Sequence, residues 1–288
     1  MDDTWSTVFV AAVSENHFFE LRSFVAKLRK YYKKSRLVVY DIGLSSNSIS
    51  EIKSWCYVEY RYFNFSHYPE HVKHLANYSF KLVIVEALQS LNAFFYVDTS
   101  VSFKKNGHKH LVESVKSRLL QPFSTFPYTF HNVYVATHPQ MYEYIPTPEV
   151  ATKMTERVAT AMFVVDSPYT RKIMKWWYLC AMTPSCISPP NATHICHTRR
   201  LRKRPNSYAN CHRFDQSFWN LMYLNDLFGS SSFAITMGLT EPYTELNRSI
   251  VFEVNRGLKA KLEEVFRRSV RIRKGVKIKK SFVDKSCF

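Results

Sequence analysis

Two periods alternate along the first hundred residues. Thr7 to Val13 (TVFVAAV) is an unbroken apolar run of strand type, and Ser14-Glu15 behind it supplies a cap hydroxyl and an acid for a first helical turn. Apolar residues then recur at Phe18, Leu21, Val25, Leu28 and Tyr32, in steps of 3, 4, 3 and 4, which predicts one face of a helix. Leu37 to Tyr40 (LVVY) returns to strand character and ends at Asp41-Ile-Gly, closing a strand-helix-strand unit. A short helix is expected after Ser48, with Ile49, Ile52 and Trp55, and an extended piece over Val58 to Phe63. His71 to Leu91 shows helical spacing again, with Val72, Leu75, Leu82, Val85 and Leu88 inward, and on spacing alone Lys81 reads as a solvated helix lysine. This segment feeds Phe94 to Val97, an aromatic and β-branched run that reads as a strand buried on both faces.

The second half has the same alternation. His110 to Leu120 is helix-like, Asn132 to Thr137 strand-like, and Pro148 to Met154 a short helix with Thr147 as its cap. Val158 to Val165 (VATAMFVV) predicts a second buried strand, ending in Asp166. Ser167-Pro168 opens a helix with Ile173, Trp177 and Cys180 inward. Thr183 to Ser207 carries four prolines and a basic run, and reads as a long exposed loop pinned by cysteines. His212-Arg-Phe-Asp-Gln-Ser starts a last helix with Phe218, Leu221 and Met222 on its apolar side. Core periodicity ends near Arg256. The expected organisation is one domain over residues 1–255, with halves 1–103 and 104–255, followed by a basic tail over 256–288.

Composition sharpens this picture in two places. The net charge of +17 is concentrated: Arg199 to Arg204 supply +5 and Glu253 to Phe288 supply +8, so the remaining chain is near neutral. The charge therefore describes two segments, not the fold. Basic runs such as RRLRKR bind phosphate backbones, but no helix-turn-helix, RNA-recognition or zinc-finger spacing accompanies them, which leaves a nucleic-acid-binding protein as a minor alternative. The second place is the compartment. No stretch reaches the roughly 18 apolar residues of a membrane span, and the start MDDTWSTVFV lacks the order of a signal peptide, which by itself points to the cytoplasm. Four sequons, at Asn64, Asn77, Asn191 and Asn247, and the cluster Cys180, Cys186, Cys196 and Cys211 point instead to a glycoprotein of the secretory lumen, with disulfides.

Candidate chemistry centres on Asp98, Thr99 and Ser100. Ligands of an open α/β sheet bind at the carboxyl ends of its strands, and these residues follow the central strand. No Gly-rich loop follows the first strand, so a dinucleotide site of the GxGxxG kind is not expected.

Three blocks in this order resemble the GT-A glycosyltransferases of the glycogenin and bacterial galactosyltransferase group, and more closely an uncharacterised glycosyltransferase-like family expanded in nematodes. They are YSFKLVIVEALQSLNAFFYVDTSVSF (Tyr78 to Phe103), ATAMFVVDS (Ala159 to Ser167) and HRFDQSFWNLM (His212 to Met222). The resemblance spans roughly Thr7 to Leu227 and implies an α/β GT-A fold with a mostly parallel central sheet and helices on both faces. It implies transfer of a sugar from a nucleotide-diphosphate sugar to a glycan or protein acceptor. Tyr78, Lys81, Asp98 and Ser100 would bind the donor, Asp98 would hold Mn²⁺ or Mg²⁺, and Asp215 and Gln216 would face the transferred sugar as catalytic residues. Ser100 departs from the family pattern, which has a second carboxylate there. A hydroxyl is a weak neutral ligand, so metal binding should weaken, and a catalytically inactive relative that only binds sugar or a partner is the main rival. The C-terminal His and Gly-x-Lys-Pro-Trp element of the group is also missing from GLTEPYTELNRS.

Overall fold

The computed structural model describes residues 8–104, 108–118, 120–196, 207–229 and 252–254. In chain order its elements are β1 (Val8–Val13), α1 (Phe18–Tyr31), β2 (Arg36–Asp41), α2 (Ser46–Ser54), β3 (Val58–Tyr62), α3 (Val83–Leu88), β4 (Ala93–Val97) and β5 (Val101–Phe103). These are followed by α4 (His108–Lys116), β6 (Phe123–Asn132), β7 (Thr155–Val165), α5 (Pro168–Ala181), α6 (Asp215–Gly229) and β8 (Phe252–Val254). Single helical turns intervene at Met141–Tyr144, Glu149–Thr152 and Pro184–Ile187. Two compact units share the chain. One takes its described residues from Met1–Phe63, Ala93–Leu120 and Arg248–Phe288, the other from Asn64–Asn92 and Gln121–Asn247.

The first unit is built on a parallel sheet in the order β3-β2-β1-β4. Every residue of β1 and all but the first of β4 are buried, as expected of parallel strands covered on both faces. Phe9 of β1 stacks on Phe95 of β4 and meets Tyr32 and Phe103 edge-on, so aromatic rings fill the space beside the central strand. Helix α1 buries Leu21, Phe24, Val25 and Leu28, the stripe its spacing predicts. β5 pairs with β8 antiparallel.

The second unit holds the antiparallel pair β6 and β7 together with α5 and α6. Its core is tryptophan-rich: Trp177 and Trp219 lie 4.7 Å apart, with Phe218 and Phe123 against them. Two disulfides, Cys180–Cys186 and Cys196–Cys211, tie the segment after α5, so the four clustered cysteines do pair among themselves.

The α/β class and the mostly parallel pairing agree with the sequence reading, but three local expectations are corrected. The segment His71 to Leu91 is not one helix. It is a chain of 3-10 turns, Glu70–Lys73, Leu75–Asn77 and Ser79–Leu82, before α3. Tyr78 breaks the periodicity with a left-handed φ of 61°, and Asn77 fixes the break by accepting from the Ser79 amide and donating to the His71 carbonyl. The strand expected over Asn132 to Thr137 lies earlier, at β6; its Pro127 lacks an N–H, and the ladder shifts register between Phe126 and Tyr128. Thr147 does not cap the turn at Glu149–Thr152, because its hydroxyl donates to the Ile145 carbonyl. The basic run after Arg199 and the tail after Arg256 lie outside the described residues, and so does Asn247.

Candidate active site

In the parallel sheet of the first unit, β1 is followed in space by β2 on one side and β4 on the other. The direction of chain progression reverses there, and the carboxyl ends of β1 and β4 flank the crevice where such sheets take ligands. Asp98, Thr99 and Ser100 leave β4 at this point; the Asp98 carbonyl accepts from the Val101 amide, closing a turn into β5. Asp98 and Ser100 are half-buried, and the Thr99 hydroxyl donates to Glu20 at 3.2 Å.

Two other acids on the same edge serve the backbone. Asp41, at the end of β2, accepts from the Gly43 and Leu44 amides at 2.8 Å each and from the Tyr60 hydroxyl at 2.7 Å. Gly43 supports this turn with a φ of 127°, a conformation that side chains with a Cβ resist. Burial first, then the hydrogen bond and the charge of Asp41, push the Tyr60 phenol well up. Glu15 accepts from the Ser45 amide and the Ser48 hydroxyl, holding the start of α2, and the Ser45 bond lowers its pKa. Both carboxylates are thus explained by turn and cap geometry.

In the second unit Lys81, expected from spacing alone to be a solvated helix lysine, is 1% exposed. Its ammonium lies 2.7 Å from Asp215 Oδ2 and donates to the Ala159 carbonyl, also at 2.7 Å. Asp215 is 3% exposed and stands in the first turn of α6, where the helix dipole favours a carboxylate. The Tyr78 ring lies 5.5 Å from the ammonium and contacts Phe214. Tyr78 and Phe214 both have left-handed φ values, 61° and 44°. Such conformations in bulky residues are costly and cluster at functional sites.

Gln216, half-buried, donates from Nε2 to Glu156 Oε2 at 2.6 Å. Glu156 is fully buried, and desolvation holds its carboxyl well above the usual range; Gln216 and Arg213 oppose the shift, and Asp215 adds to it. Among the described residues its Oε1 has no hydrogen-bond partner. His131, pushed down by burial, directs Nδ1 at the Asn132 carbonyl 3.1 Å away, with Glu156 Oε2 at 3.4 Å. Burial thus disfavours the charged form of both groups, the carboxyl by raising its pKa and the imidazole by lowering it. Sequence reasoning missed Glu156, His131 and Arg213. The available signal was a charged pair, Glu156-Arg157, at the entrance of an otherwise apolar strand.

Asp215 and Gln216 begin one helix, and Lys81 meets Asp215. Tyr78 is beside Lys81. Asp98 and Ser100 belong to the other unit. As a metal site, Asp98 with Ser100 offers one carboxylate and one hydroxyl. Among the described residues no group of three His, Cys, Asp or Glu side chains gathers where an ion could sit. Hard divalent cations take several oxygen ligands, often anionic. This donor set does not make a metal cage by itself, and no step below is routed through a metal.

Residues 1–86 match a family model described as "Protein of unknown function (DUF1647)". No curated protein sequence matches the chain. Among solved structures, the chain is similar to the galactosyltransferase LgtC in complex with donor and acceptor sugar analogues, at 13% identity and a TM-score of 0.47, over 90% of this chain and 94% of that one. It is also similar to mouse xyloside xylosyltransferase 1 in its apo form (9% identity, TM-score 0.42, 76% and 81% of the two chains). A third is core-mannan synthase A of Aspergillus fumigatus in a Mn/GDP form (8% identity, TM-score 0.41, 61% and 64%).

Proposed function

We propose that this chain is a glycosyltransferase of the GT-A type, moving a sugar from a nucleotide-diphosphate donor to a glycan or protein acceptor. The observation that carries the reading is the position of Asp98-Thr99-Ser100 at the carboxyl end of β4, where the order of the parallel strands reverses. In this reading Asp98 holds the donor's ribose, with Ser100 beside it. The bond between the anomeric carbon and the diphosphate oxygen breaks as the bond to the acceptor oxygen forms, so negative charge grows on the leaving group and positive charge on the sugar. Lys81 supplies a fixed cation for the diphosphate, and Asp215 and Gln216 face the sugar. Lys81 and Asp215 are 1% and 3% exposed, so of these three side chains Gln216 is the one open to a ligand in this structure. Manganese or magnesium would depend on the donor's own phosphates for most of its ligands. Ser100 in place of a second acid favours one rival, a protein that binds the donor without turning it over.

A lumenal site of action fits two disulfides and an exposed sequon at Asn191. Asn77 is buried and spends both ends of its amide on the backbone, so that sequon is closed in the folded chain. No helix among the described residues is long and apolar enough to cross a membrane.

The test is calorimetric titration of nucleoside diphosphates and their sugar conjugates, with and without Mn²⁺, into the wild type and Asp98→Ala. Binding by the wild type and its loss in a folded Asp98→Ala protein is expected. Unchanged binding in the variant would remove Asp98 from the site, and a wild type that binds no nucleotide would overturn the function.

A further inference from the structure

Helices α5 and α6 wall a cavity of about 480 Å³ in the second unit, a volume typical of small-molecule sites. Tyr169, Lys172, Ile173 and Trp176 form its α5 side at helical spacing, and Met222, Asn225 and Asp226 its α6 side. Tyr144 to Pro146 close the third wall. Along α6 the cavity begins at Met222, about 10 Å beyond Asp215 of the Lys81–Asp215 pair, and reaches Asp226, about 16 Å beyond it. It is a separate place.

Two of its rings are unusually open for large side chains: Trp176 is 46% and Tyr144 42% exposed. Neither is loose. The Tyr144 hydroxyl is 2.5 Å from Ser185 Oγ, and one turn before Trp176 the Ile173 side chain is buried. On the opposite side the Tyr169 hydroxyl donates to Asp226 Oδ2 at 3.1 Å, which fixes the carboxylate and leaves Oδ1 without a hydrogen bond among the described residues. The floor is apolar, with Ile173 and Met222. Lys172 and Asp226 balance in charge, so nothing here selects an anion or a cation. A ligand matching these walls is uncharged, with a flat C–H face for the rings and hydroxyls at its edge for Asp226 and Asn225.

We infer that this cavity binds a pyranose of a neutral glycan, stacked on Trp176 and hydrogen-bonded through Asp226. The cavity is distinct from the Lys81–Asp215 pair of the same unit, and the inference does not need the transferase reading to be correct. Under that reading it would anchor an extended acceptor.

Immobilised neutral oligosaccharides of glucose, galactose, mannose and N-acetylglucosamine would be screened against the full chain, followed by titration of any that bind. Trp176→Ala and Asp226→Asn should each weaken binding about tenfold or more, as loss of a stacking or directed polar contact does. Their melting temperatures should stay near the wild type's, and nucleoside diphosphate binding should be unaffected. Asp98→Ala should keep its glycan affinity. Glycan binding in a protein that binds no nucleotide would support this site while sinking the transferase. Absence of binding to every oligosaccharide at millimolar concentration, or binding that survives Trp176→Ala, overturns the inference. So does a concentration-dependent dimer abolished by Trp176→Ala, since the surface would then be a self-interface.

Discussion

Lys81 and Asp215 lend themselves to a double-mutant cycle, because both are nearly inaccessible and their charges are 2.7 Å apart. Lys81→Met keeps the length of the side chain but leaves a buried carboxylate without its cation and the Ala159 carbonyl without its donor. Breaking a buried pair from one side costs about 3–5 kcal/mol, and an orphaned carbonyl accounts for about 1–3 kcal/mol of the total. Asp215→Asn keeps the shape and removes the charge facing the ammonium, with a smaller loss of about 2–3 kcal/mol, because the amide oxygen can still accept. In Lys81→Met/Asp215→Asn no charge is stranded. The double variant should therefore be more stable than the sum of the singles predicts, by about 2 kcal/mol. Urea unfolding at pH 7 followed by tryptophan fluorescence reports on this unit directly, since Trp177 and Trp219 are in its core. Coupling below about 0.5 kcal/mol would mean that the two charges do not act on each other.

Two titrations follow from burial. His212 accepts the His138 amide at Nδ1 and donates from Nε2 to the Ile187 carbonyl, and burial brings its pKa down to about 3. Its folded pKa is below the unfolded one, so the stability it contributes is present above about pH 6.5 and is lost as pH falls toward 3. Between pH 7 and pH 5 the loss should approach about 2 kcal/mol, and His212→Gln should flatten that limb of a urea-unfolding profile. Glu156 has the opposite sign. Its raised folded pKa makes its contribution full below about pH 4.3, and stability declines as pH rises toward the folded value. Glu156→Gln should gain on the wild type in melting temperature between pH 5 and pH 8, and a constant difference over that range would show that Glu156 is not held neutral.

Much of the fold was written locally. β1, α1, β2, β4 and α5 follow from runs of apolar residues and from caps such as Ser167, whose hydroxyl accepts the Thr170 amide, because burial pattern and capping are properties of neighbouring residues. The cysteine cluster also predicted its own pairing, since short separations keep partners within reach. The segment before α3 was not legible. Helical spacing at Val72, Leu75 and Leu82 was real, but Tyr78 turns the chain through a left-handed conformation that no propensity announces. For the same reason Lys81 looked like a surface lysine. Its burial depends on Asp215 and Ala159, 134 and 78 residues away, and only tertiary packing can pair a charge with a partner that far along the chain. Glu156 makes the point most sharply: in the sequence it is an ordinary acid, and desolvation by its neighbours in space raises its pKa well above the usual range. Asp98 could be placed at a strand end from sequence, but only the order β3-β2-β1-β4 puts that end where the sheet's progression reverses.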